Sequence, residues 1–273
     1  MIYLNHTFDL LAGGHYKGNS SWDKRHSEVD NCFKLYYLTE GNAYISDKSD
    51  EYVLQNHKAY FINGNKLDRQ YCPEHFSTHW LHFQPKDLLV YRGLLSLPTI
   101  IEIPGVTDVH LLNMFSDYEL LTESETALWT KTLKGLELQN TLSNIVLNLL
   151  QTYSANLPDD TGKVSKIEPA IQYINENFKE AIRLKELAHL CFLSETYFHK
   201  TFKEVLNMTP ATYQTRLKMN ASIELLNRQD ISIKQIADEL GFTDAAHFCK
   251  SFKLYYGITP KEYQRQGKEA LIL

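Results

Sequence analysis

Leu184-Lys-Glu-Leu-Ala188 returns as Ile233-Lys-Gln-Ile-Ala237, and Phe198-His-Lys-Thr-Phe-Lys203 returns as Phe248-Cys-Lys-Ser-Phe-Lys253, so one unit is written twice near the end of the chain. The first pair lies 49 residues apart. The second pair, together with Thr209-Pro210 and Thr259-Pro260 and with Tyr213-Gln214 and Tyr263-Gln264, lies 50 apart, which places one extra residue near Thr243-Asp244. Each copy reads as a short helix with an apolar-Ala pair, a tight turn, and a second helix whose two Phe residues lock it onto the first. That is the helix-turn-helix arrangement, predicted here over 184–207 and 233–257. Ser232-Ile-Lys-Gln235 and Thr259-Pro-Lys-Glu262 have the capping-box form and mark two further helix starts.

If the paired Phe residues face inward, the residues between them face out, where a major groove can be read. In the first copy these are Thr196, His199 and Lys200; in the second, by the offset, they are Ala246, Cys249 and Lys250. A Lys at the same point of both helices can donate to guanine N7 and O6 or meet a phosphate, and the small Thr196, Ala245 and Ala246 allow close approach to a thymine methyl. Lys203 and Lys253, with Arg216 and Lys218 on the helix between the copies, are the expected phosphate contacts. That helix, roughly 210–227, carries a stripe of Leu217, Ala221, Leu225 and Leu226 and reads as a rigid spacer. Two recognition helices on one spacer would enter successive major grooves about 34 Å apart, with the DNA bent to fit. The bland alternative is a solvated helical pair with exposed Lys, and the repetition of the whole unit weighs against it.

Working outward, the net charge of −5 argues against a non-specific polyanion binder, but the charge is unevenly placed. Residues 1–162 hold 12 Lys+Arg against 20 Asp+Glu, a balance of −8; residues 163–273 hold 16 against 13, a balance of +3. Nucleic acid, if bound, belongs to the C-terminal part. With 273 residues, two separate cores are expected. The opening residues lack a basic segment followed by a long apolar run, and no run of about 18 apolar residues occurs later, so a cytoplasmic chain without a membrane partner is expected. Cys32, Cys72, Cys191 and Cys249 are scattered without Cys-x-x-Cys spacing and read as reduced thiols.

The first hundred residues alternate short aromatic and β-branched runs with turn signals. Cys32–Leu38, Asn42–Ser46, Lys58–Ile62 and Thr78–Phe83 read as strands, punctuated by Gly13-Gly14, Glu40-Gly41-Asn42, Asn63-Gly64-Asn65 and Cys72-Pro73. The spacing favours an all-β barrel or sandwich over 1–107. Then the period changes. Leu111, Leu112, Met114, Phe115 and Tyr118 form one apolar cluster, and Leu138, Leu142, Ile145 and Leu149 follow at a 4-3-4 spacing, predicting two helices within 108–154. Two roles stay open for the second stripe: the seam of a subunit pair, or the face that covers the β domain. The segment 155–164, with Pro158 and Gly162, reads as a linker, and 165–267 as helical, beginning with Ile167, Ile171, Ile174 and Phe178 and with Pro169 in the opening turn. The fold class is α+β in two domains.

The C-terminal hundred residues resemble the AraC/XylS-type transcriptional regulators. The resemblance is carried by Ile231–Phe242, His247-Phe-Cys-Lys-Ser-Phe-Lys253 and Gly257-Ile-Thr-Pro-Lys-Glu-Tyr263, and in the first unit by Leu187-Ala188, Ser194, Tyr197-Phe198, Phe202-Lys203 and Thr209-Pro210. It implies double-stranded DNA as a partner and base reading by the outward residues named above, to which it adds Ala245, with a homodimer and contact to RNA polymerase. Ala246 and Cys249 depart from the Arg or Gln often found at such positions, which shifts the expected specificity to the first recognition helix. The front half resembles, less specifically, the cupin-like effector domain of the arabinose-type branch and its helical dimerisation segment. This rests on Thr39-Glu-Gly41, Lys58–Gly64 and Thr78-His-Trp-Leu-His-Phe-Gln-Pro85.

Alternation puts Thr78, Trp80 and His82 on one face of a strand. If that face points inward, Trp80 resembles an aromatic floor for a sugar ring, with Glu40, Thr78 and His82 as hydroxyl partners; otherwise Trp80 and His82 are core residues. His75 and His79 share the face opposite His82 and the His-x-His plus Glu pattern is absent, so no metal, no cofactor and no catalytic residue is expected. Two other functions remain on the table. A cupin-type metal enzyme would carry stoichiometric metal, and a regulator whose front half only dimerises would respond to no small molecule.

Overall fold

The computed structural model describes residues 7–25, 32–103, 108–122, 126–158, 161–228, 231–256 and 258–266. Two compact units divide between Leu157 and Pro158. Among the described residues, no helix is long and apolar enough to cross a membrane.

The first unit is built on an antiparallel sheet. Its strands are β1 (Phe8–Asn19), β2 (Asp23–Arg25), β3 (Phe33–Ser46), β4 (Glu51–Gln55), β5 (Ala59–Asn63), β6 (Arg69–Tyr71), β7 (His75–Pro85) and β8 (Ile100–Glu102). The main path runs β1-β7-β3-β5-β8, while β4 and β6 pair with β3 and β2 pairs with β6. The two runs expected on either side of Glu40-Gly41-Asn42 are one strand, β3. Its first half pairs with β5 and β7, its second with β4 and β6. Between the halves the register against β7 slips at Leu38/Glu40, and Gly41 takes φ +64 where a Cβ would lie 2.1 Å from the His75 carbonyl oxygen. The turn signal is therefore a bulge that lets one strand serve two sets of neighbours. Gly13-Gly14 likewise lies inside β1, not between strands. The absent side chain at Gly13 lets the Tyr118 ring come down on the strand.

One face of the sheet is covered by α1 (Leu88–Ser96) and α2 (Asp108–Thr122). Tyr91 packs edge-on against Phe33 at 5.6 Å and Phe115 stacks on His79 at 5.7 Å. The long α3 (Leu128–Thr152) packs on α2 and reaches β1 through Gln139, whose amide accepts from Phe8 N at 3.1 Å and donates to Phe8 O at 2.9 Å. That side chain closes an edge strand as another strand would. Leu138, Leu142, Ile145 and Leu149, for which a subunit seam, implied by the resemblance, and a cover over the β domain were both open, are all buried within the protomer. The stripe covers its own core because α2 and β1 lie beneath it. The apolar residues that α3 leaves open are on the other side: Leu128, Trp129, Leu133, Leu136 and Leu147.

The second unit is all helical: α4 (Thr161–Asn177), α5 (Leu184–Leu190), α6 (Glu195–Leu206), α7 (Pro210–Leu226), α8 (Ile233–Glu239), α9 (Ala245–Tyr256) and α10 (Pro260–Gln266). The helix α4 starts earlier than its apolar stripe, so Gly162 is helical and Pro169 is interior, where it removes one ladder hydrogen bond. The repeat is visible bond by bond. Phe192 N donates to His189 O and Leu193 N to Ala188 O; 49 residues on, Gly241 N donates to Asp238 O and Phe242 N to Ala237 O. Tyr213 OH donates to Asn175 on α4, and Tyr263 OH donates to Asn227 at the end of α7. Thus α4 stands to the first helix pair as α7 stands to the second.

Candidate nucleic-acid interface

The helices α6 and α9 are amphipathic in the same phase. Phe198, Phe202 and Val205 are buried on one side of α6, and Phe248, Phe252 and Tyr255 on one side of α9. Each starts on a side-chain cap: Ser194 Oγ accepts from Tyr197 N at 3.4 Å, and Asp244 Oδ1 accepts from His247 N at 2.7 Å. The extra residue of the second copy falls at this cap.

Of the expected base readers, Thr196, Lys200, Ala246 and Lys250 are exposed, while His199, Ala245 and Cys249 are half-buried. His199 lines a crevice of about 270 Å³ with Ile174, Leu187 and Pro210. Cys249 is enclosed enough that burial pushes its thiol pKa up. The two faces differ in charge. On α6, Lys200 and Lys203 are matched by Glu195 and Glu204, and Glu204 lies 3.8 Å from Lys200 and 3.1 Å from Lys163. On α9, Lys250 and Lys253 have no acidic residue on their helix.

Lys203 and Lys253 are exposed as expected, but Arg216 and Lys218 are not. Both are buried in the second unit: the Arg216 guanidinium lies 4.8 Å from the centroid of the Tyr213 ring, and Lys218 Nζ donates to Gly241 O at 2.9 Å. Their expected phosphate contacts are corrected accordingly, because α7 is packed on two sides and keeps no broad solvent face. Two exposed lysines outside the expected set occupy equivalent positions, Lys185 on α5 and Lys234 on α8. Their signal was in the repeat itself, where both copies have Lys as the second residue of the first helix.

In the sheet unit, Thr78, Trp80 and His82 share the face of β7 opposite to α2. Trp80 and His82 meet with ring centroids 4.7 Å apart, and Tyr36 OH lies 3.3 Å from His82 Nε2. Trp80 Nε1 is buried without a hydrogen-bond partner among the described residues. Burial drives the His82 pKa well below the usual histidine value, helped by the positive charges of Lys34 and Lys24. Thr78 Oγ1 is committed to the backbone at Tyr37 O or His79 O. Glu40 is not in this group. It lies past the bulge, exposed, with His75 Nε2 3.8 Å from its carboxylate. Its expected role beside Trp80 fails because the register slip turns it to the other face. Among the described residues, no three His, Cys, Asp or Glu side chains converge as metal ligands.

A family model described as a helix-turn-helix domain matches residues 187–266. The chain is 36% identical over 105 residues to the regulatory protein PocR of Salmonella typhimurium, spanning 38% of this chain and 35% of that protein. It is 29% identical over 143 residues to RafR, the raffinose operon transcriptional regulatory protein of Pediococcus pentosaceus, spanning 48% of this chain and 52% of that one. The alignments therefore span about a third and about half of these relatives' lengths. In fold, the chain is similar to unsaturated fatty acid bound ToxT from Vibrio cholerae, with a TM-score of 0.56 and 17% identity over 97% of each chain. Another ToxT structure, bound to (E)-4-(8-methylnaphthalen-1-yl)but-3-enoic acid, gives a TM-score of 0.59 at 14% identity over 98% of this chain and 100% of that one.

Proposed function

We propose that the chain, whose residues 187–266 match a helix-turn-helix domain and which is similar to AraC-type regulators, is itself a sequence-specific DNA-binding regulator of that type, responding to a small effector held in its sheet unit. One observation carries the DNA part: the same hydrogen-bonded turn occurs twice, each time followed by a capped helix whose aromatic side is buried and whose open side presents a lysine. Thr196, His199 and Lys200 read bases from α6, and Ala245, Ala246, Cys249 and Lys250 from α9. Lys203 and Lys253, joined by Lys185 and Lys234, meet phosphates. The test is to let the chain select sites from a random-sequence DNA pool and then measure the Lys200→Ala/Lys250→Ala double variant on those sites. Unchanged affinity and salt dependence would overturn this assignment.

The effector site is the inner face around Trp80, His82 and Tyr36. A buried indole N–H without a partner is unfavourable by about 1–3 kcal/mol until an acceptor meets it, and a ligand oxygen is such an acceptor. A sugar-like effector fits the aromatic floor and the kinship to a raffinose operon regulator. A second reading, a carboxylate with an apolar tail, is favoured by the positive field of Lys34 and Lys24 on His82 and by the acids bound in the two ToxT structures. Thermal-shift panels of sugars and of fatty acids separate the two, and the absence of any stabiliser counts against both.

The proposed partner is a second copy of the chain, seated on the open face of α3 instead of on the Leu138–Leu149 stripe. Trp129, Leu133, Leu136 and Leu147 follow coiled-coil seam spacing with Asn140 and Ser143 between, and Trp129 is 73% exposed. Trp129→Asp would turn a dimer into a monomer in sedimentation; a dimer that persists counts against this face.

A further inference from the structure

The spacer helix α7 holds a charged group that faces neither water nor a groove. Lys218 is 9% exposed; its Nζ donates to Gly241 O at 2.9 Å and lies 5.0 Å from the centroid of the Phe242 ring. Gly241 is the turn residue between α8 and α9, so a side chain of the spacer ends on the turn that aims the second recognition helix. The connection after α4, in the same helical unit, meets that turn as well. A Cβ at Gly241 would lie 1.6 Å from the Lys179 carbonyl oxygen, so main chain lies directly on main chain. Lys179 Nζ in turn lies 3.3 Å from Glu239 Oε1 on α8. From α7, Gln214 donates Nε2 to Phe178 O at 2.8 Å and to Glu180 O at 2.6 Å, bracketing Lys179. Three pieces thus close on Gly241: the connection after α4, the spacer, and the second turn.

We propose that Lys218 is a positioning residue that locks the angle between the two recognition helices, so that the chain discriminates operators by the spacing of their half-sites. The residue type suits the task. A four-carbon stem reaches across the packed helices, and its ammonium makes a charge-assisted bond to a carbonyl just past the C-terminal end of α8, where the helix dipole favours a cation. Leverage does the rest. The 12 residues of α9 span about 18 Å, so a rotation of about 10° at the turn carries the far end of the helix by about 3 Å. That is close to one base-pair step of about 3.4 Å.

The inference rests on the DNA-binding reading, and one experiment separates their failures. The full chain selects its own sites from a random DNA pool, and affinities are then measured on that DNA with its half-sites at the selected spacing and moved one base pair closer or farther. The wild-type chain should lose about 30-fold on either change, and Lys218→Met should lose only about 3-fold, with affinity for a single half-site nearly unchanged. A merely structural role would lower thermal stability and leave the spacing profile as it was; an unchanged profile in Lys218→Met overturns the proposal while leaving the DNA-binding reading intact. A wild-type chain that selects no DNA overturns both. If Lys218→Met lacks the helical circular dichroism of the parent, Gln214→Leu is read in the same assay. It frees the 178–180 backbone from α7 with Lys218 in place, and it too must flatten the profile for the proposal to stand.

Discussion

Phe192 and Gly241 occupy the same place in the two helix-turn-helix units, 49 residues apart, with the same hydrogen bonds on either side. Both have left-handed backbone, at φ +54 and φ +65. The Phe192 side chain is 94% exposed, whereas at Gly241, although the residue itself is exposed, a side chain would run into the Lys179 carbonyl and meet Lys218 Nζ. The turn geometry alone therefore does not demand glycine. An aromatic residue tolerates it at a strain of roughly 1 kcal/mol. What demands glycine in the second unit is the chain packed on top of it, and that packing joins the two units into one reading head.

The largest effect should come from breaking this difference at its crowded end. Gly241→Ala adds left-handed strain and drives a methyl group into the Lys179 backbone, for a destabilisation of about 3 kcal/mol. Thermal unfolding of the full chain measures it; a loss under about 1 kcal/mol would mean that the contact gives way easily. Next come the lysines of the two recognition helices. Lys200→Ala removes a donor and also leaves Glu204 facing the DNA with one cation fewer, so it should weaken the selected site by about 1–3 kcal/mol and relax specificity at one base position. Lys250→Ala should weaken all sequences more evenly and lower the salt slope by about 1, because α9 carries two lysines and no acid. Equal base-specific losses in both variants would erase the inequality drawn between the helices.

The repeat was legible because its markers are local: two Phe residues four apart, a cap, and an apolar-Ala pair need no knowledge of the rest of the chain. Lys218 was not legible in the same way. A lysine next to Leu217 on an amphipathic helix reads as a solvent-facing cation, and only the return of the chain at Gly241, 23 residues later, supplies the acceptor that turns it inward. For the same reason, the apolar stripe read on α7 does not mark one buried face. A helix flanked on both sides buries Tyr213, Arg216, Met219 and Ser222 around its circumference. In the sheet unit, alternation correctly grouped Thr78, Trp80 and His82, but no local signal marked the bulge that sends Glu40 to the other face, since a Glu-Gly-Asn run looks the same in a hairpin turn. The Leu138–Leu149 stripe marked one apolar side of α3, and it could not tell whether the protomer's own core or a partner covers it.

A smaller contrast lies at the helix starts. Asp244 caps α9 with a 2.7 Å bond from His247 N and adds a negative charge at the positive end of the helix, while Ser194 caps α6 at 3.4 Å with a neutral hydroxyl. Asp244→Ala should lower stability by about 1 kcal/mol and Ser194→Ala by about half that in chemical denaturation. The reverse order would mean that α6 depends on its cap more than the geometry implies.

The smallest effect is expected at Phe192, where two terms oppose each other. Replacing it with glycine relieves left-handed strain of roughly 1 kcal/mol, but glycine gives the unfolded chain more freedom, which removes about 0.5–1 kcal/mol of that gain. Because Phe192 is almost fully exposed, little packing is lost, so Phe192→Gly should unfold within about 0.5 kcal/mol of the parent and bind the selected DNA equally well. Set beside Gly241→Ala, it would show one turn position indifferent to its side chain in one unit and intolerant of a single methyl in the other. A marked fall in DNA affinity from Phe192→Gly, with stability unchanged, would reverse that conclusion by making the exposed ring a contact in the complex and the strain at Phe192 part of the binding surface.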